Sequence, residues 1–314
     1  MPIIDLHCDT LTALKAAHKE LRSNDMNLDL LRMQQQHILC QDFAVFVRLT
    51  EHQDVDAAWQ YTLDCIAFFK NQLEKNKELV LQVTNYDDLG KAQKEQKIGA
   101  LLSVEEGGVL GTDLGRLEQL YQAGVRLLTI SWNFPNTLSY PHSSEPDIMQ
   151  KNLRPFGRKV VEAMCDMHML VDVSHLNDGG FWDVAHICRG PFVASHSNAR
   201  TVTGHTRNLT DEMLKTLAEH GGVTGINFFS KFLGDDATGS LEQILKHIAH
   251  IKKVGGIEVL ALGSDFDGFG GASGVRRCDD FPKLLAALEQ AGYSSEEIEK
   301  LTYKNALRVI KDVL

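Results

Sequence analysis

The sequence predicts an α/β protein folded as a TIM-like (β/α)8 barrel, and three observations carry that prediction. Short apolar runs rich in Val, Ile and Leu alternate with longer segments of helical period along most of the chain, the pattern of parallel βα units. Eight such runs can be counted, enough to close a sheet on itself. The length of 314 residues fits one barrel with insertions, so residues 1–314 are expected to form a single domain.

In chain order the runs are Ile3 to His7, Phe43 to Leu49, Ile98 to Val104, Val125 to Ile130, Leu170 to Ser174, Phe192 to His196, Gly222 to Asn227 and Val259 to Ser264. They are nearly continuous in apolar character because strands of a closed parallel barrel are covered on both faces. Between them the helical period predicts helices over Val55 to Lys75, Leu114 to Ala123, Arg154 to His168, Thr210 to His220 and Leu241 to Val254. Asn305 to Leu314 reads as a terminal amphipathic helix. A further run, Leu79 to Val83, is strand-like without a slot in the count, and marks an element inserted in the second βα unit.

Composition narrows the partners. A net charge of −10 and a pI near 5.7 leave no broad basic field, which argues against nucleic acid or an anionic membrane and for a small-molecule substrate. The first residues, Met1-Pro2-Ile3-Ile4-Asp5, lack the basic-then-apolar pattern of a signal peptide, and no apolar stretch is long enough to span a bilayer. Six cysteines without CxxC spacing (Cys8, Cys40, Cys65, Cys165, Cys188 and Cys278) read as buried free thiols in a reducing compartment, so the expected location is the cytoplasm.

The chemistry-bearing residues stand where the apolar runs stop, the end at which barrel enzymes assemble their sites. The first run leads into Asp5-Leu6-His7-Cys8-Asp9, where alternation turns His7 and Asp9 the same way and Cys8 the other. The third ends in Ser103-Val104-Glu105-Glu106-Gly107-Gly108, placing a carboxylate beside glycines. The fifth and sixth end in Val171-Asp172-Val173-Ser174-His175 and Val193-Ala194-Ser195-His196, offering imidazoles from adjacent strands. A single histidine in such a place is more often a hydrogen-bonded core residue than a ligand. Agreement at four strand ends reverses that balance.

Together His7, Asp9, Glu105, His175 and His196 form a nitrogen and oxygen donor set suited to Zn²⁺ and compatible with other divalent metals. The lack of thiolate points to a catalytic site, in which a glutamate shared by two ions leaves positions open for water and substrate. The eighth run leads to Asp265, next to the first strand once the barrel closes, a place for a carboxylate that shuttles protons.

These motifs resemble those of the membrane (renal) dipeptidases and their bacterial relatives, zinc dipeptidases among the amidohydrolase-like barrels. The resemblance covers almost the whole chain. It rests on DLHCD at Asp5 to Asp9, SVEEGG at Ser103 to Gly108, VDVSH at Val171 to His175, ASHSNAR at Ala194 to Arg200, RNLTDEML at Arg207 to Leu214, GSDFDG at Gly263 to Gly268 and KNALRVI at Lys304 to Ile310.

The resemblance implies two zinc ions, one held by His7, Asp9 and Glu105 and the other by Glu105, His175 and His196. Ungapped counting from the glutamate to Leu120-Tyr121-Gln122 favours Glu105 over Glu106 as the shared ligand. The resemblance also assigns Asp265 as the catalytic acid and Arg207 as the reader of the substrate carboxylate. It implies hydrolysis of dipeptides, including those with a C-terminal D-residue, and it allows a homodimer. The alternative is another amidohydrolase-type reaction on N-acyl amino acids, lactams or lactones, because a metal pair fixes the chemistry more firmly than the substrate. Two departures stand out. Trp132 followed by Asn133 replaces the histidine that ends the fourth strand in the mammalian pattern, leaving Trp132 and Asn133 as alternative oxyanion donors in the substrate pocket. Phe229 stands where a tyrosine is common.

Overall fold

The structure is a computed structural model that describes residues 1–236 and 238–314. Among the described residues there are nine parallel strands: β1 (Ile3–Asp5), β2 (Ile38–Phe46), β3 (Val80–Gln82), β4 (Ile98–Glu105), β5 (Leu127–Thr129), β6 (Leu170–Asp172), β7 (Val193–Ala194), β8 (Val223–Ile226) and β9 (Leu260–Leu262). Eight of them close the predicted barrel. β1 pairs with β2 on one side and, through Asp5 and Leu262, with β9 on the other, while β2 pairs directly with β4 from Cys40↔Gly99 to Phe46↔Glu105. β3 lies outside the ring, against the first residues of β4 (Val80↔Ile98), and is the inserted element that the strand count could not place.

The eight expected runs all appear in the ring, most of them shortened at their ends and the second extended at its start. β2 starts at Ile38, not Phe43. Gln41 and Asp42 interrupt its apolar pattern, yet both are buried, the Gln41 amide donating to the Asp42 carbonyl at 3.0 Å and Asp42 accepting from Ser103 at 2.5 Å. The helix expected at Val55–Lys75 spans those residues, started by Asp54, whose carboxylate accepts from the Ala57 amide.

Alternation along the strands builds the barrel interior in tiers. Leu101, Leu127, Leu170, Val193 and Val223 form an apolar tier near the strand starts, packed in one cluster with Ala306, Val309 and Ile310 of the terminal helix Asn305–Val313. Two residues further on, Ser103, Thr129, Asp172 and Ser195 form a polar tier, and one more step on β4 reaches Glu105. Gly225 and Gly263 keep this tier narrow, since a Cβ on either would fall within about 2 Å of the Ser195 carbonyl oxygen.

The polar tier ties the strands together through buried carboxylates. Asp5 accepts from the Ser264 hydroxyl at 2.6 Å, and Asp172 from the hydroxyls of Thr129 and Ser195, each at 2.7 Å. Burial raises Asp5 and pushes Asp42 up to about 7, against the Ser103 hydrogen bond that pulls it down. A carboxyl that holds its proton more tightly when folded loses stability as pH rises from its ordinary value through about 7. Asp42→Asn should therefore raise the melting temperature of metal-free protein more at pH 8 than at pH 5. An equal shift at both pH values, read by thermal unfolding, would show that Asp42 does not titrate in this window.

Candidate metal centre

Six side chains meet above the polar tier, at the C-terminal ends of the strands. His7 and Asp9 follow β1, Glu105 ends β4, His175 and His196 follow β6 and β7, and Asp265 follows β9; all six are buried. Glu105 stands at their centre. Its Oε2 lies 3.6 Å from His7 Nε2, and its Oε1 lies 3.0 Å from His175 Nε2 and 3.5 Å from His196 Nε2. The last two nitrogens are 3.0 Å apart, and His7 Nε2 is 3.4 Å from Asp9 Oδ2. The neighbouring Glu106 turns away and accepts from the Gly108 amide at 2.7 Å, fixing the loop. The alternation expected of His7-Cys8-Asp9 is present, with Cys8 fully buried in the main core cluster.

Backbone geometry aims two of these groups. His175 (φ 66°) and Asp265 (φ 61°) occupy the left-handed region, which costs a non-glycine residue about 1–3 kcal/mol and is tolerated where the surroundings dictate it. Further contacts orient the imidazoles. His196 Nδ1 is 2.8 Å from Ser195 Oγ, which donates to Asp172, and His175 Nδ1 is 2.8 Å from Asn133 Oδ1. In both rings Nε2 is the atom left facing Glu105. Asn227 donates to Asp265 Oδ2 at 2.9 Å.

Electrostatically the cluster is short of positive charge. Burial pulls His7 down, but Glu105 and Asp9 outweigh it and lift His7 well above the usual imidazole range. Burial and then Glu105 raise Asp9, while burial and then Asp9 raise Asp265 to about 8. Burial, with Arg207 and His7 nearby, holds His175 and His196 well below their ordinary value. Both ring nitrogens of His7 and Asp9 Oδ1 are buried without a hydrogen-bond partner among the described residues. Orphaned donor atoms of this kind and mutually raised acids are what a divalent cation satisfies. Among the described residues two triads have ligand atoms mutually within 4.8 Å: His7, Glu105 and His196, and His7, Asp9 and Asp265.

A cavity of about 380 Å³ opens over the cluster, walled by Phe46, Arg48, Tyr61, Trp132, Phe229 and Phe232. Trp132 stands edge-on to Phe46, with the Arg48 guanidinium 5.0 Å from its ring centre. Asn133 borders the cavity beside His175. Arg207 lies behind the wall, buried, with its guanidinium 5.3 Å from the Phe232 ring centre and bonded to Ser197 Oγ at 3.1 Å and the His196 carbonyl at 3.3 Å. Burial lowers it to about 10. A larger cavity of about 790 Å³ elsewhere on the molecule contains none of these residues.

The whole chain, residues 1–314, matches the family model of the membrane dipeptidases, peptidase family M19. The chain belongs to that family. A Schizosaccharomyces pombe protein described as an uncharacterised dipeptidase is 31% identical over 301 residues, 90% of this chain and 71% of the relative. Among solved structures, a metallopeptidase named dipeptidase AC superposes with a TM-score of 0.92 at 27% identity, covering 100% of this chain and 98% of the other. A Rhodobacter sphaeroides metallopeptidase, liganded with a phosphinate mimic of the dipeptide L-Ala-D-Ala, superposes with a TM-score of 0.91 at 26% identity, covering 100% and 99%. This M19 family member is a metal-dependent hydrolase on a (β/α)8 barrel. Among the described residues no helix is long and apolar enough to cross a membrane.

Reading the sequence alone passed over Asp172, Ser195 and His142, which hold the cluster from outside. For Asp172 a signal existed: a carboxylate inside an apolar run has to find a buried partner. His142, in a loop, carried none. Ser195→Ala would remove the acceptor at His196 Nδ1 and is expected to weaken divalent-ion affinity by about 10–100-fold. Competition against a chromophoric chelator measures this, and unchanged affinity would mean that Ser195 does not orient His196.

Proposed function

We propose that this protein is a binuclear zinc dipeptidase built as one catalytic domain over residues 1–314. The observation that carries the reading is the Glu105 carboxylate, whose two oxygens face different imidazoles, His7 on one side and His175 with His196 on the other. His7, Asp9 and Glu105 would hold one ion, and Glu105, His175 and His196 the second. Bound divalent ions in such a site polarise a carbonyl and make water nucleophilic at neutral pH.

The remaining work falls to side chains. Asp265, raised to about 8 and held by Asn227, is placed to take a proton from the attacking water and return it to the leaving amine. Arg207, at the Phe232 wall, supplies the cation for the substrate's C-terminal carboxylate once a ligand draws it forward. Trp132 and Phe229 shape the cavity around a small substrate. A C-terminal D-residue is expected to be accepted, as the dipeptide mimic in the Rhodobacter sphaeroides relative contains one.

Hydrolysis of L-Ala-L-Ala, L-Ala-D-Ala and L-Ala-D-Glu by zinc-loaded protein, abolished by a chelator and restored by zinc, tests the reading. Asp265→Asn should lower kcat by about 10²–10⁴-fold while metal content, measured by elemental analysis, stays the same. An unchanged kcat would remove Asp265 from the reaction, and an absence of turnover on every dipeptide would overturn the substrate assignment.

A further inference from the structure

We propose that Asn133 donates the hydrogen bond that receives the charge developing on the substrate's carbonyl oxygen, and that His142 and His175 fix its amide for this task. The inference rests on the dipeptidase reading above. His175 Nε2 faces Glu105 and His196, so a ring that offers its lone pair there carries its proton on Nδ1. That Nδ1 is 2.8 Å from Asn133 Oδ1 and donates to it. His142 Nε2 lies 3.2 Å from the same oxygen, while His142 Nδ1, 2.7 Å from Thr206 Oγ1, accepts from that hydroxyl. Both lone pairs of the amide oxygen are thereby engaged. A planar amide whose oxygen is held this way turns its NH₂ in the other direction, and Asn133 is exposed on the cavity shared with Glu105, His175 and Asp265. Among the described residues that NH₂ has no partner. A donor already oriented by two rings needs no reorganisation when charge appears, and one such donor is worth about 10²–10³ in kcat.

The test separates the two halves of the amide. Asn133→Asp keeps the acceptor for both histidines and deletes the donor, whereas Asn133→Ala deletes both. The expected result for Asn133→Asp is undiminished metal content, little change in KM, kcat lower by about 10²–10³-fold, and a parallel loss of affinity for a phosphinate dipeptide mimic. Asn133→Ala should lose metal affinity as well. His142→Ala, which frees the amide without touching substrate, should lower kcat with KM and metal content unchanged. Trp132→Phe, which removes the competing indole N–H, should lower kcat by less than Asn133→Asp does. Asn133→Asp with wild-type kcat and mimic affinity, a kcat loss that follows lost metal, or a large loss confined to Trp132→Phe would each overturn the assignment. Wild-type protein that hydrolyses no dipeptide would instead defeat the reading beneath it.

A separate observation concerns the larger cavity, which is lined by Cys165, His168, His186 and Cys188. The two thiols are 3.2 Å apart, Cys165 half-buried at the end of helix Pro155–Asp166 and Cys188 buried after helix Asp178–Ile187. We infer that they close a reversible disulfide by exchange with a low-molecular-weight disulfide such as oxidised glutathione. The Cys165 thiolate attacks, one glutathione thiolate leaves, and Cys188 loses its proton to solvent. Its sulfur then displaces the second glutathione, so two protein thiols are oxidised as one disulfide is reduced. The hydrogen bond from Cys188 favours the Cys165 thiolate, lowering that thiol below its usual range. Full-length protein treated with oxidised glutathione should lose two hydrogen atoms in mass and yield a Cys165–Cys188 cross-linked peptide, and dithiothreitol should reverse both. Cys188→Ser should stop at a glutathione adduct on Cys165. Wild-type protein that stops at that adduct, or that reacts at neither cysteine, would overturn the inference.

Discussion

A carboxylate taken out of water at the mouth of a barrel has to find partners inside, and Glu105 finds them in the ring nitrogens of His7, His175 and His196. Those four groups come from four different strands, so the demand of one buried charge sets the registers around most of the ring. The tier beneath serves the same demand. Asp172 is satisfied by Thr129 and Ser195, and Ser195 in turn orients His196, which turns a structural hydrogen-bond network into part of the site. The cluster is not electrically closed by its own residues, since Asp9 and Asp265 are raised and His7 keeps orphaned nitrogens. The fold has placed carboxylates and ring nitrogens where a cation would satisfy them together.

Much of this was legible in the sequence because the barrel writes its architecture in a simple code. Apolar runs covered on both faces named the strands, and polar residues at their ends named the cluster: His7, Asp9, Glu105, His175, His196 and Asp265 do converge. The code fails where a strand carries polar residues inward. Gln41 and Asp42 concealed the first half of β2, since nothing near them in sequence announces Ser103, 61 positions away from Asp42. The strand character of Leu79 to Val83 was readable, but its place outside the ring depends on β4 being longer than its neighbour β5. His142 was hidden for a related reason, because its importance lies in touching Asn133 and Thr206, partners set by how a long loop folds back.

Family membership and local chemistry answer different questions here. The match over residues 1–314 establishes a metal-dependent hydrolase, while the departures at Trp132, Asn133 and Phe229 lie around the cavity and not among the buried groups that meet at Glu105. Aromatic packing of Trp132 against Phe46 and beneath Arg48 gives that wall a rigid, apolar character. These three departures thus fall on the surface a substrate would touch.

The junction of β1 with β9 has a consequence for how the molecule assembles. The strands themselves pair at one position, Asp5 to Leu262, and the seam continues through the Cys8–Phe266 bridge, the Asp265 amide donating to the His7 carbonyl and the hydrogen bonds from Ser264 to Asp5 across 259 positions of chain. His7 and Asp9 lie on one lip of this seam and Asp265 on the other. Closing so long a loop costs entropy that the contacts along the seam have to offset. A cation held by His7 and Asp9 and facing Asp265 across the seam would favour the closed ring over the open one, so that occupancy and circular closure become linked. The same atoms that make the centre reactive would then also decide whether the two ends of the chain stay joined.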